Sequence, residues 1–180
     1  EIDLSYIKNI DKIINCVTND FGNVDILINC AGVLFKDGIF GVTEEQWDLT
    51  INVNLKATFF LDQKVLNLMK ENDDGYIINI SSCIANDVPS EYTSYGTSKR
   101  GVSGISQALY KEAKKYNIRV TTLYPGMTDT PMLRDADTGT DPEQWMLPGD
   151  LSELVLYLLK SSSRIVIRDV IPLSTKQIIL

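Results

Sequence analysis

The sequence predicts an α/β fold, a doubly wound parallel β-sheet with helices on both faces. Three observations point to it. Short, mostly apolar runs rich in branched residues, "VDILIN", "YIINIS" and "IRVTTLY", lack a strict apolar–polar alternation, the signature of strands buried on both sides. Stretches with helical spacing of apolar residues separate them, as βα units require. Each apolar run also ends in a loop of small and polar residues, "NCAG", "SSCIAN" and "YPGMTDT". In sheets of this kind ligands bind at the carboxyl ends of the strands, so those loops are where chemistry is expected.

The elements follow in order. Ser5 to Asp20 reads as an amphipathic helix, with Ile7, Ile10, Ile13, Ile14 and Val17 at helical spacing. Gly22 suits its C-cap. "VDILINCAG" is the first strand and its loop. Thr43 ahead of Glu44, Glu45 and Gln46 forms a capping box, opening a helix or helix pair that runs to about Lys70. "NDDG" turns the chain into "YIINISS", the second strand. A long helix covers "SEYTSYGTSKRGVSGISQALYKEAKKY", with Gly101 and Gly104 inside it for close packing, within the chain or across a dimer interface. "IRVTTLYPG" is the third strand, broken by Pro125-Gly126. A polar irregular segment, the helix "LSELVLYLLK" and a last strand in "RIVIRDVIPL" complete the chain. No repeat or linker divides it, so residues 1–180 read as one domain.

Composition narrows the function. The net charge of −7, without a basic cluster, argues against nucleic acid or an anionic membrane as partner. No apolar run approaches the roughly 18 residues that cross a bilayer. Three cysteines, Cys16, Cys30 and Cys83, without a CxxC, read as reduced thiols of a cytoplasmic protein, with Cys30 and Cys83 as packing residues. The chain has no histidine, which excludes a Ser-His-Asp or Cys-His site and any His-ligated metal within it. No metal site is expected. Proton chemistry must use Tyr, Lys, Ser, Cys or carboxylates. "NIS" at 79–81 matches a glycosylation sequon but lies in a buried strand.

Tyr95 and Lys99 stand one helical turn apart, which by itself is an ordinary helix-surface pair. Ser82, at the end of the second strand, changes that reading. A phenol with a reference pKa of about 10 is a poor acid–base at neutral pH. A neighbouring ammonium favours phenolate, so Lys99 is expected to lower the Tyr95 pKa, while Ser82 holds a substrate oxygen. The three together suit proton transfer to or from a carbonyl or alcohol oxygen.

With "NCAG" (29–32), "NVNL" (52–55), "SS" (81–82), "YGTSK" (95–99) and "PGMTDT" (125–130) in this order, nearly the whole chain resembles the short-chain dehydrogenase/reductase family, in the manner of its 3-oxoacyl carrier-protein reductases. The resemblance implies a Rossmann-like sheet and an NAD(P)(H)-dependent oxidoreductase interconverting an alcohol and a ketone or aldehyde. It implies that Tyr95 is the acid/base, that Lys99 lowers its pKa and holds the nicotinamide ribose, and that Ser82 orients the substrate oxygen. Asn54 would anchor a water in the proton relay. Asn29, Ala31 and Gly32 would line the cofactor, NAD or NADP. Asp3, with Leu4 beside it, would contact adenine. Pro125, Gly126, Thr128 and Thr130 would face the nicotinamide. A homodimer or homotetramer is implied, with a small carbonyl or alcohol substrate and neither nucleic acid nor membrane as partner.

Plainer roles stand beside these. Asn54 can be a satisfied helix residue, Asp3 a tail charge and Pro125-Gly126 a simple turn. Trp47 and Trp145 read as packing residues, although Trp145 lies where it can touch substrate. The family's opening strand, TGxxxGxG turn and helix, which bind pyrophosphate, have no counterpart here. The sequence begins near the family's third strand, so its amino-terminal strands are missing. "VDILIN" should then be an open sheet edge, and the natural protein is expected to be longer. A catalytically inactive binding or scaffold protein, or a truncated fragment, is therefore the alternative to an enzyme. A hydrolase without histidine would need a Ser-Lys or Ser-Tyr mechanism, and the sequence has no GxSxG elbow.

Overall fold

The computed structural model describes residues 1–36, 38–136 and 138–176. Four parallel strands form one sheet in the order β1-β2-β3-β4: Ile26–Asn29, Gly75–Ile80, Ile118–Leu123 and Asp169–Val170. Among the described residues seven α-helices accompany them: α1 (Lys8–Phe21), α2 (Gly38–Gly41), α3 (Glu44–Thr50), α4 (Ala57–Asn72), α5 (Thr93–Ala113), α6 (Pro131–Asp135) and α7 (Pro148–Lys160). This is the α/β, Rossmann-like architecture expected.

Local chemistry explains the boundaries. Gly22 ends α1 at φ +80°, donating its N–H to Thr18 O. Thr43 accepts from the Gln46 N–H while the Gln46 side chain returns to the Thr43 N–H, which is the expected capping box. Between α3 and α4 lies one feature that the sequence did not announce. Ile51–Lys56 forms a π-helical stretch, so the expected helix runs from Glu44 to Asn72 with a wide turn in its middle. Gly101 of α5 meets that turn. A Cβ there would lie 2.7 Å from Leu55 Cδ1, so close packing within the chain accounts for this glycine, whereas Gly104 faces open space.

The sheet is buried by both layers. Ile77 joins Val65, Met69, Leu109, Ala113, Ile118 and Val120 under α4 and α5, with Ile14 of α1 packed alongside. Ile78 points to the opposite face and packs with Tyr76 and Leu158 under α7. Burial of each such isoleucine stabilises the fold by about 1.5–3 kcal/mol. Among the described residues β1 is the outermost strand and pairs only with β2. Leu27 is covered by the α1 and α4 layer, but Ile26 and Ile28 remain 47% and 40% exposed, because α7 does not reach that far. The expected open edge is therefore present.

The last strand is shorter than the sequence suggested. Only Asp169–Val170 pair with β3, at Thr122 and Leu123, and Pro172 follows. Residues 177–180 lie outside the described residues. None of the described helices is long and apolar enough to cross a membrane.

Candidate active site

The carboxyl ends of β1, β2 and β3 face the amino-terminal half of α5, and the functional side chains gather there. Ser81 and Ser82 close β2. The Ser81 hydroxyl is buried, donating to Lys99 O at 2.9 Å and bonding Ser103 Oγ at 3.1 Å, so it fastens α5 to the sheet. Ser82 instead caps the short 3₁₀ turn Cys83–Ala85 and hydrogen-bonds the Tyr95 phenol. Of the two serines, the structure turns Ser82 to the tyrosine, as expected. The loop after β3 is tied to the same place, since Cys83 N–H donates to Pro125 O and Gly126 N–H to Pro172 O.

Lys99 is 4% exposed. Its Nζ donates to Ile80 O at 2.9 Å and lies 5.7 Å from the centroid of the Tyr95 ring. An ammonium carries three donors, and Ile80 O is its only acceptor among the described residues. Gly32 faces it: a Cβ there would sit 3.6 Å from Lys99 Nζ and 3.3 Å from Asn54 Oδ1. A buried, under-satisfied ammonium beside a glycine backbone is a cradle for a ligand that carries hydroxyl oxygens.

The protonation states differ from expectation. Burial pushes the Tyr95 phenol up to about 12; its hydrogen bond with Ser82 pulls the other way, and the nearby Cys83 and Cys30 add to the rise. Burial also pushes Lys99 down to about 8, with Cys30 opposing. Lys99 is not among the causes of the phenol's shift, whose direction desolvation sets, against the expected lowering. At neutral pH Tyr95 keeps its proton and Lys99 is largely charged.

Asn54 sits on the π-helical stretch with its amide fully engaged. Oδ1 accepts from Val33 N–H at 2.8 Å, and Nδ2 donates to Val33 O at 2.9 Å and Ser98 Oγ at 3.0 Å. Ser98 passes the link to Tyr95 O at 2.7 Å. Its side chain therefore clamps the β1 loop to α5. The Asn29 amide points inward, to Asp62 and Asn79, and supports the loop that carries Ala31 and Gly32. Asp62 and Asn79 were missed as site-supporting residues. The available signal was Asp62 on one helical face with Thr58, Val65 and Met69, a carboxylate among core positions.

The remaining residues are more peripheral. Asp3 is exposed, with Oδ1 accepting from Ser5 N–H, and Leu4 packs against Ile10, Ala57 and Leu61. Both precede α1 and so lie at the ligand end of the sheet. Thr128 Oγ1 donates to Gly126 O, and Thr130 caps α6 and donates to Thr128 O, so both hydroxyls hold the loop in shape. Trp145 is a buried packing residue, its Nε1 donating to Thr140. It lines an open cleft of about 440 Å³ with Asp129, Arg134 and Asp150, away from Tyr95 and Lys99. Cys30 is exposed, not the packing thiol expected, and Cys83 is half-buried. Asn79 of the sequon is fully buried.

The short chain dehydrogenase family profile matches residues 1–141. The chain belongs to the short-chain dehydrogenase family. An uncharacterized oxidoreductase of Staphylococcus saprophyticus is 34% identical over 169 residues, covering 94% of this chain and 71% of that protein. One from Staphylococcus aureus is 33% identical over 168 residues, covering 93% and 72%. Among solved structures, an alcohol dehydrogenase of the archaeon Thermococcus sibiricus superposes with a TM-score of 0.90 at 20% identity, over 99% of this chain and 75% of that one. A 4-hydroxyisoleucine dehydrogenase, solved with NADH, superposes at 0.85 with 28% identity over 97% and 78%. This short-chain dehydrogenase shares its sheet and helix layers with both.

Proposed function

We propose that the chain is an NAD(P)(H)-dependent oxidoreductase that interconverts an alcohol and a ketone or aldehyde, with Tyr95 as acid/base. The observation that carries it is the convergence of Ser82, Tyr95 and Lys99 at one strand end, with a buried ammonium still holding free donors. Family membership and the NADH bound to the 4-hydroxyisoleucine dehydrogenase support the cofactor class.

The residues present fit a nicotinamide nucleotide. Lys99 has donors for ribose hydroxyls, and Gly32 leaves room for a ligand beside it. When bound, that cofactor supplies or accepts the hydride. The chain's own groups do the rest. The Ser82 hydroxyl donates a hydrogen bond to the substrate oxygen and orients it. Tyr95, protonated at neutral pH, gives its proton to that oxygen as the carbonyl is reduced. The phenolate left behind is stabilised by the Lys99 ammonium across the ring face. In the reverse direction Tyr95 takes the proton back. Asn54, through Ser98, holds the backbone of Tyr95 in place.

The test is Tyr95→Phe, assayed by NADH and NADPH oxidation with a panel of ketones, aldehydes and 3-oxoacyl thioesters. Turnover should fall at least about a hundredfold, the worth of a positioned general acid, with unchanged thermal unfolding. A variant that keeps near-normal rates removes Tyr95 from the mechanism. A chain that binds neither nucleotide is the inactive scaffold instead.

A further inference from the structure

Behind the strand-end loops lies a polar cluster that the proposed reaction does not use. Asp62 of α4 is 1% exposed. Its Oδ1 accepts from Asn29 Nδ2 and its Oδ2 from Asn79 Nδ2, each at 2.8 Å. The second hydrogens of the two amides go to Asn79 Oδ1 at 2.7 Å and to Ser106 Oγ of α5 at 3.0 Å. One carboxylate thus joins β1, β2, α4 and, through Asn79, α5. Asn29 and Asn79 are register partners across the β1–β2 ladder. Each leads into a functional segment: Asn29 into Ala31 and Gly32, Asn79 into Ile80, whose carbonyl holds Lys99, and then Ser82.

Both groups that meet the carboxylate are donors, so both of its oxygens must accept. A protonated oxygen would itself become a donor with no acceptor opposite it. Rotating the Asn29 amide to supply one would set Asn29 Oδ1 against Asn79 Oδ1 and break the bond between the two amides. The cluster is therefore built around an ionised carboxylate, even though burying one without a cation is unfavourable. The groups facing it from β1, β2 and α5 are Asn29, Asn79 and Ser106, all neutral, and the Lys64–Asp11 ion pair lies on the exposed side of α4.

We infer that Asp62 is a positioning residue whose ionised carboxylate sets the spacing between the Ala31–Gly32 loop and the Ile80–Ser82 strand end. Its effect on nucleotide affinity rests on the cofactor reading above. Burial raises its pKa to about 7, the two amides pulling the other way, so the device switches near neutrality.

The experiment is an NMR titration of the whole chain from pH 5 to 9, with NADH binding followed in parallel by nicotinamide fluorescence. The Asp62 carboxyl carbon and the Asn29 and Asn79 side-chain amides should share one midpoint, and the backbone amides of Gly32 and Ser82 should follow it. NADH affinity should weaken by about threefold to tenfold from pH 8 to pH 6, the worth of one buried hydrogen bond. Asp62→Asn, or Asp62→Ser if the first fails to fold, should remove that midpoint everywhere. Gly32 and Ser82 amides that ignore the Asp62 midpoint overturn the inference, as does a variant that keeps wild-type NADH affinity across the range. Amides that co-titrate in a chain that never binds NADH or NADPH uphold the positioning role and overturn the cofactor reading instead.

Discussion

Lys99→Met should make the folded chain indifferent to a pH change that the native chain feels strongly. Methionine keeps the length and apolar stem of lysine but removes the charge. Burial depresses the Lys99 pKa from 10.5 to about 8, so the folded state holds this proton less tightly than the unfolded chain does. The sign follows from linkage: the native chain regains stability as pH rises from about 8 to above 10.5, and lacks it fully below about 8. The gap amounts to roughly 3 kcal/mol. Because Lys99 is 4% exposed, solvent screening removes little of it. The variant also loses the hydrogen bond to Ile80 O, a charge-assisted bond worth about 1.5–3 kcal/mol, so its stability at pH 7 should be close to native. The informative quantity is the difference between the two chains as a function of pH. Urea unfolding at pH 6.5, 8, 9.5 and 10.5 should show the native chain gaining about 3 kcal/mol on the variant over that range. A difference that stays flat to within about 0.5 kcal/mol would refute the claim that Lys99 is held as a strained buried ammonium.

Three other outcomes follow from the same geometry. Ser82→Ala should cut turnover on the order of a hundredfold with an intact fold, while Ser81→Ala should lower unfolding stability by about 1–2 kcal/mol through lost buried hydrogen bonds; the reverse pattern would mean the two serines are misassigned. Gly101→Ala should be near neutral, because Leu55 can turn aside, but Gly101→Val should cost about 1–3 kcal/mol by overpacking, read from urea midpoints. NADH affinity should rise with pH as Asp62 ionises near 7 and fall as Lys99 discharges near 8, giving a bell-shaped profile; a monotonic profile in fluorescence titrations would remove one of the two groups.

Much of this was legible because it is written in local patterns. Ile10 and Ile14 mark the buried face of α1, Thr43 and Gln46 the start of α3, and the largely apolar run 76–80 a strand covered on both sides. Tyr95, Lys99 and Ser82 were found because a strand end and a helix turn are enough to bring them together. What escaped depends on contacts distant in sequence. Asp62 meets Asn29 and Asn79 from 33 and 17 residues away, and only the fold shows that all three are buried together. The π-helical turn at Asn54 has no composition signal. The direction of the Tyr95 shift was missed because a sequence shows which charge is near but not how much water is gone, and here the lost water wins.

Asp62 and Lys99 share a property that sets them apart from the surface charges. Each is buried without an ion-pair partner among the described residues, and each is held in its charged form at a cost to folding that neutral groups around it only partly offset. A core built for stability alone would replace both with apolar side chains. Their placement gives each of them a task. Both charges act on the ends of β1 and β2, Asp62 through the two asparagine amides and Lys99 through Ile80 O. One fixes the spacing of the strand-end loops, and the other leaves donors open in the gap between them. The instability is thus confined to the one edge of the sheet where a ligand would relieve it, by supplying the oxygen atoms that the Lys99 ammonium still lacks.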